Sequence, residues 1–84
     1  MAFRVRIKAS AAKALRRVGR EDRRRIIEAI DRLQEEPAAG SALKGEFQGL
    51  RRLRVGSYRV IYEVDKGELM ILVVRIGHRR DVYR

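Results

Sequence analysis

The sequence predicts an α+β domain in which an αα-hairpin packs on one face of a four-stranded, mainly antiparallel sheet, in the chain order β-α-α-β-β-β. Three observations carry this. The chain opens on strict alternation of apolar and basic residues, residues 10–36 hold two apolar stretches of helical period, and residues 50–76 hold three β-type stretches. The joints between those last three are too short for anything but antiparallel neighbours.

Phe3, Val5 and Ile7 alternate with Arg4, Arg6 and Lys8, the period of a half-buried strand. Ser10 is placed to cap a first helix along which Ala11, Leu15 and Val18 recur, and Gly19 suits the left-handed position that ends it. Residues 21–36 set Ile26, Ile27, Ile30 and Leu33 on one stripe, and Pro37 stops the run as a second helix. The break at Gly19 makes the pair a hairpin whose apolar stripes need a flat partner. Residues 38–49 contain three glycines and no sustained period, so they read as a connecting loop anchored by Phe47. Strands follow at 50–55, 58–64 and 68–76, joined by Gly56-Ser57 and Asp65-Lys66-Gly67. The run Leu69 to Val74 is apolar on both faces, as an interior strand must be, which places the first strand beside it in the order 1-4-3-2. From Gly77 the chain is expected to leave the sheet as an irregular or short helical end.

At 84 residues a single domain over 1–84 is expected. With 45% hydrophobic residues the chain is too apolar for a disordered polycation, and no apolar stretch reaches the roughly 18 residues of a membrane span. The absence of cysteine excludes disulfides, thiolate-bound metal and thiol nucleophiles, and fits a reducing cytoplasm. The N-terminus lacks the continuous apolar block of a signal peptide, so the fold is expected to begin at residue 1. No Walker-type loop, paired-carboxylate site or Ser-His-Asp order points to nucleotide hydrolysis, glycosidase or esterase chemistry. One histidine and no cysteine make a metal site unexpected, and no cofactor is expected.

Charge is the strongest functional signal: 21 Lys and Arg against 11 Asp and Glu give +10, and 17 of the 21 are arginine. Arginine presents a planar fork of donors that matches phosphate bidentately. If Gly56-Ser57 is a two-residue turn, Val55 faces Tyr58, Arg54 faces Arg59, Leu53 faces Val60 and Arg52 faces Ile61. Leu53, Val55, Tyr58 and Val60 then form an apolar face for the helices, and Arg52, Arg54 and Arg59 share the uncovered one. Residues 51–59 hold four arginines and no acid, counting Arg51, which suits a phosphate binder; a solvated face of long side chains is the bland explanation. The tail adds His78, Arg79, Arg80, Tyr83 and Arg84. Tyr83 fits either a terminal packing anchor or a base-stacking platform, and His78 either a surface hydrogen-bonder or a proton shuttle. Arg23, Arg24 and Arg25 lie close to Glu21, Asp22, Glu28 and Asp31, the pattern of a solvated face of helical ion pairs that would also suit an acidic partner helix.

The string from Arg52 to Val64, RLRVGSYRVIYEV, followed by Ile76-Gly-His-Arg-Arg-Asp-Val-Tyr83, resembles the RelE branch of the RelE/ParE toxin superfamily. Chain length and element order match as well. The resemblance implies a RelE-like fold and the toxin of a toxin–antitoxin pair, a metal-independent endoribonuclease that enters the ribosomal A site and cleaves mRNA to a 2′,3′-cyclic phosphate and a 5′-hydroxyl. Carried onto this chain, Arg59 and Arg79 would contact the scissile phosphate and Tyr83 would stack on or orient the base. Arg51, Arg52, Arg54, Lys44, His78, Arg80 and Arg84 would make further RNA or ribosome contacts. Leu50 and Arg52 stand where the family's proton-transfer lysines are found. Arginine is a poor general base, which leaves Tyr83, His78 or catalysis by orientation and electrostatics.

The partners so implied are a cognate antitoxin, the ribosome with its mRNA, and operator DNA reached only through the toxin–antitoxin complex, with no membrane. Two alternatives stand beside the nuclease. One is a ParE-like toxin acting on DNA gyrase, and the other a toxin fold retained only to bind its antitoxin and operator.

Overall fold

In a computed structural model, which describes residues 2–78, the alternating opening becomes strand β1 (Arg4–Ile7). Helices α1 (Ala9–Arg16) and α2 (Arg20–Arg32) follow, then a two-residue strand β2 (Ser41–Ala42) and a single 3₁₀ turn at Gly45–Phe47. The chain continues through β3 (Leu50–Val55), β4 (Tyr58–Asp65) and β5 (Met70–His78). The sheet order is β1-β5-β4-β3-β2, with β1 parallel to β5 and every other pair antiparallel. The four expected strands keep their expected order. The difference is a fifth at the edge, where the segment read as loop pairs Ser41 with Arg52 and Ala42 with Arg51.

Both helix caps depart from expectation. Lys8, extended at φ −57° and ψ 143°, starts α1, so Ser10 lies inside the first turn and caps nothing. The helix ends at Arg16, Val18 dips into the core, and Gly19 at φ −56° and ψ 150° is the extended residue that opens α2 rather than a left-handed close to α1. The reason is local: a sharp reversal between two helices needs one extended residue before the second. The second helix stops at Arg32, short of the expected 36, although Leu33 is still fully buried. Ile27, expected on the buried stripe, is 43% exposed, because Ile26, Ile30 and Leu33 alone fill the contact with the sheet.

The core lies between the hairpin and one sheet face, with α1 over β5 and α2 over β3. Ala11, Leu15, Val18, Ile26, Ile30 and Leu33 meet Val60, Tyr62, Ile71, Val73 and Ile76, and Phe3, Val5, Ile7, Leu53, Val55, Tyr58 and Val64 pack around them. The turn Gly56-Ser57 has Gly56 at φ 59°, the left-handed conformation that a two-residue hairpin favours and glycine adopts without strain. The register it sets is the expected one, Val55 opposite Tyr58 through Arg52 opposite Ile61. At the other turn the Asp65 carboxylate accepts the Glu68 N–H at 3.0 Å and Leu69 takes φ 53°, so β5 begins at Met70 rather than at 68. Its far end also differs: Gly77 and His78 remain in the sheet.

One buried tyrosine ties the loop after α2 to the sheet. The Tyr62 hydroxyl donates to the Pro37 carbonyl at 2.8 Å and accepts the Gly40 N–H at 2.9 Å. Beside it, the Arg51 guanidinium donates to the carbonyls of Ala38 and Gly40. Tyr62→Phe strips two part-buried backbone groups of their partner and is expected to cost about 2 kcal/mol, given ~1–3 kcal/mol for such a group left unpaired. A thermal melt should show Tm falling by roughly 10 °C for a domain of this size.

Candidate functional site

The helices cover one face of the sheet, and alternation sends the remaining side chains of each strand to the other. Opposite residues share a face, so Arg54 and Arg59 stand directly across from each other on the open side. Arg52 lies in the next open-face row, opposite Ile61, with Arg75 beyond it on β5. From β1, Arg4 and Arg6 join the same face, since Phe3, Val5 and Ile7 turn to the core. The acids of this face, Glu63 and Asp65, sit toward the far end of β4, away from the hairpin tip.

This is not simply a wet surface. Ile61 belongs to the open face yet is only 3% exposed, and the flanking arginines offer aliphatic stems of the kind that cover such a residue while their charged ends stay outside. Arg59 is half-buried, and its Nε is shielded from solvent with no hydrogen-bond partner among the described residues. A buried unpaired donor of this kind costs about 1–3 kcal/mol. Arginines placed opposite each other on paired strands also repel, by roughly 0.2–1 kcal/mol. The Nε of Arg51, on the helix side, is shielded and unpaired in the same way, so what sets the hairpin end of the open face apart is that both costs fall together on the pair Arg54 and Arg59.

A β-bulge on β5 decides what else reaches this face. Ile61 is opposite Arg75 but Tyr62 is opposite Val73, so Val74 is skipped and the alternation resets. Without that extra residue Arg75 would point into the core. Sequence reasoning did not count Arg75, Arg4 or Arg6 as site residues; the alternation of the first strand together with the strand order held the signal for the latter two, whereas Arg75 depends on a bulge that an unbroken apolar run does not mark.

The same reset places His78 opposite Tyr58, on the helix side, where the two rings meet edge to face with centroids 5.8 Å apart at 78°. It is Gly77 that lies opposite Arg59. Arg51 shares its face with Tyr62 and binds the Ala38 and Gly40 carbonyls, so it is separated from Arg52, Arg54 and Arg59 and holds a loop. Lys44 is exposed in the segment between β2 and the 3₁₀ turn, off the sheet face. Arg79, Arg80, Tyr83 and Arg84 lie outside the described residues.

Two further surface features stand apart from the arginine face. A groove of about 620 Å³ runs between β1 and α2, lined by Phe3, Val5, Ile27 and Ile30 among others. On α2 the expected ion-pair face reduces to one contact among the described residues, Arg25 to Asp22 at 3.9 Å, while Arg23 donates instead to the Arg16 carbonyl at 3.4 Å. Among the described residues no three His, Asp or Glu side chains gather to hold a metal ion, and no helix is long and apolar enough to cross a membrane.

Residues 5–83 match the model of the family described as the ParE toxin of type II toxin–antitoxin systems, parDE. Two relatives come from Mycobacterium tuberculosis. Toxin RelG is 30% identical over 86 residues, spanning 100% of this chain and 99% of that one, and Toxin RelE is 30% identical over 84 residues, spanning 98% and 87%. Among solved structures, the RelBE2 toxin–antitoxin complex of the same organism superposes with a TM-score of 0.87 at 26% identity, covering 94% of this chain and 100% of that one. The archaeal RelE–RelB complex from Pyrococcus horikoshii superposes at 0.81 with 33% identity, covering 98% and 100%.

Proposed function

Because the chain belongs to the RelE/ParE superfamily of toxins of type II toxin–antitoxin systems, we propose that it is a ribosome-dependent endoribonuclease that cleaves mRNA in the ribosomal A site and is neutralised by a RelB-type antitoxin. The observation that carries this reading is the arginine pair at the hairpin end of the open face. Arg54 and Arg59 stand opposite each other with Arg52 beside them, and the Nε of Arg59 is buried and unpaired among the described residues.

The chemistry follows from where charge develops. Attack of the ribose 2′-oxygen on the adjacent phosphorus forms the P–O2′ bond and breaks the P–O5′ bond. The 2′-hydroxyl gives up its proton, the departing 5′-oxygen takes one, and a 2′,3′-cyclic phosphate and a 5′-hydroxyl remain. Negative charge peaks on the non-bridging oxygens midway. Guanidinium groups already fixed on a rigid strand stabilise that charge more than the ground state, without reorganising during the reaction. In this reading Arg59 and Arg79 hold the scissile phosphate, Tyr83 stacks on the base, and Arg52 and Arg54 grip the flanking backbone, with Lys44, Arg80 and Arg84 at the ribosome. Arg51 and His78 have no part in it, since one binds a loop and the other faces the helix side. With Leu50 and Arg52 unsuited to accept a proton, rate enhancement comes mainly from orientation and charge.

A second reading has its own observation: the matching family model is that of ParE toxins, and the lysine positions of the nuclease branch are filled by Leu50 and Arg52. On that reading the protein binds DNA gyrase. The two separate by 5′-end mapping of mRNA incubated with the toxin, with and without programmed ribosomes. Cuts at fixed codon positions that appear only with ribosomes are the expected result. Intact mRNA in both tubes, together with inhibition of gyrase supercoiling at stoichiometric toxin, would overturn the nuclease reading.

A further inference from the structure

The outer edge of β3 and the adjoining flank of α2 form a groove separate from the open face. β2 covers β3 only at Arg51 and Arg52, which leaves Leu53, Arg54 and Val55 at an open edge. Two depressions that share Leu53 and Arg54 run along it. One, of about 350 Å³, lies against the Ala39–Ser41 segment and is lined by Arg52 and Arg54. The other, of about 330 Å³, lies between β3 and α2 and is lined by Arg25, Arg32 and Arg54, with Leu53, Val55 and Ala29 beneath.

Four guanidinium groups from two elements therefore border one edge, and for three of them, Arg25, Arg32 and Arg54, intramolecular pairing gives little or no account. Arg25 approaches Asp22 only at 3.9 Å, with the two side chains 65% and 45% exposed, where an ion pair is worth little. The guanidinium groups of Arg32 and Arg54 have no hydrogen bond or ion pair among the described residues. Glu28 also borders the groove and is one helical turn from both Arg25 and Arg32, yet makes no ion pair with either. The position of Arg54 then gives the groove a direction. It belongs to the groove and, across the hairpin from Arg59, to the open face. A polyanion leaving the Arg59 position passes over Arg54 and meets Arg32 and Arg25 next.

We infer that this edge groove binds the phosphodiester backbone of RNA as a second contact, beyond the cleaved linkage, through Arg25, Arg32 and Arg54. The inference rests on the nuclease reading above and adds to it the path taken by the flanking RNA. Phosphate fits better than an acidic peptide for two reasons. Guanidinium forks match phosphate oxygens in pairs, and the groove floor of Leu53 and Val55 already packs against the core, leaving no deep socket for a peptide side chain. The backbone is either that of the mRNA beside the cut or that of ribosomal RNA.

The test uses Arg25→Gln/Arg32→Gln, whose side chains touch no reacting atom and whose replacement suits a helix. The full-length toxin is titrated with a non-cleavable 2′-O-methyl RNA oligonucleotide and, separately, with ribosomes, each over a series of salt concentrations. Each lost phosphate contact lowers the slope of log K against log salt by roughly 0.7–0.9, so the double variant is expected to lose about 1.5 from the slope. Binding should weaken by about tenfold or more near 0.1 M salt, with Arg25→Lys/Arg32→Lys restoring most of it. A loss against the oligonucleotide assigns the groove to mRNA, and a loss against ribosomes alone assigns it to ribosomal RNA. Unchanged slopes in both titrations would overturn the proposal, as would a loss confined to binding of an acidic peptide such as oligoglutamate. Should the wild-type toxin make no cuts on ribosomes, the nuclease reading fails by itself, and a slope against the oligonucleotide that depends on Arg25 and Arg32 would still uphold the groove.

Discussion

Arg59→Ala is expected to lower the rate of mRNA cleavage on programmed ribosomes by about 10²–10³-fold, the loss typical when one preorganised donor to a developing oxyanion is removed. Two properties make Arg59 the residue to change. It is rooted on a rigid central strand opposite Arg54, and its Nε is buried with no partner among the described residues. Because its stem lies beside buried Ile61, alanine also opens a packing defect, so Arg59→Met serves as the control. Methionine keeps much of the aliphatic bulk and removes the charge. The same loss of cleavage in both variants, with Arg59→Met melting near wild type, assigns the effect to the guanidinium. Near-normal cleavage by Arg59→Met would remove Arg59 from the chemistry.

Gly40→Ala should be among the most destabilising single changes in the molecule despite adding one methyl group at a part-exposed loop position. A Cβ at Gly40 would overlap the backbone carbonyl of Arg52 and crowd the Tyr62 hydroxyl at 2.9 Å. The carbonyl is backbone of a paired strand and has no freedom to retreat. The loop must move instead, which breaks the bonds of Gly40 to Tyr62 and Arg51. Overpacking costs about 1–3 kcal/mol and each stranded polar group about 1–3 kcal/mol more, so a total of about 3–4 kcal/mol is expected. That corresponds to a fall in Tm of roughly 15–25 °C. Gly19→Ala is the matched control. Its Cβ would meet nothing within 4 Å and its φ is ordinary, so it should melt within a few degrees of wild type. Equal melting of the two variants would refute the close-approach argument.

How much of the molecule was legible in the sequence depends on where a local rule dictated geometry. Gly56-Ser57 is a turn of one length, and one length means one register, so the opposition of Arg54 and Arg59 follows from the sequence alone. Parity also carried the orphaned case. Arg51 is two residues from Leu53 and must share its face; grouping it with its neighbours by count of arginines ignored that. By contrast, nothing in Leu69 to Val74 marks a bulge, because every residue there is apolar and either face would accept it. The faces of Arg75 and His78 were therefore beyond sequence reasoning. The two-residue strand β2 was beyond it too, since its partner is chosen by the Tyr62 and Arg51 contacts that fold the preceding loop back, not by any propensity of Ser41 and Ala42.

The order of the strands also sets a timetable. β5 lies between β1 and β4, and Arg4 is paired with Met70, 66 positions later in the chain. At about 5–20 residues per second of synthesis, β1 waits roughly 3–13 seconds for its neighbour. Until β5 arrives, β3 and β4 form only a hairpin with two arginines facing each other, which is marginal in water. The arginine face thus cannot be assembled while its last strand is still being made. Whatever depends on the assembled face therefore begins only after synthesis has passed β5, and until then β1 and α1 stand without the strand they pack against.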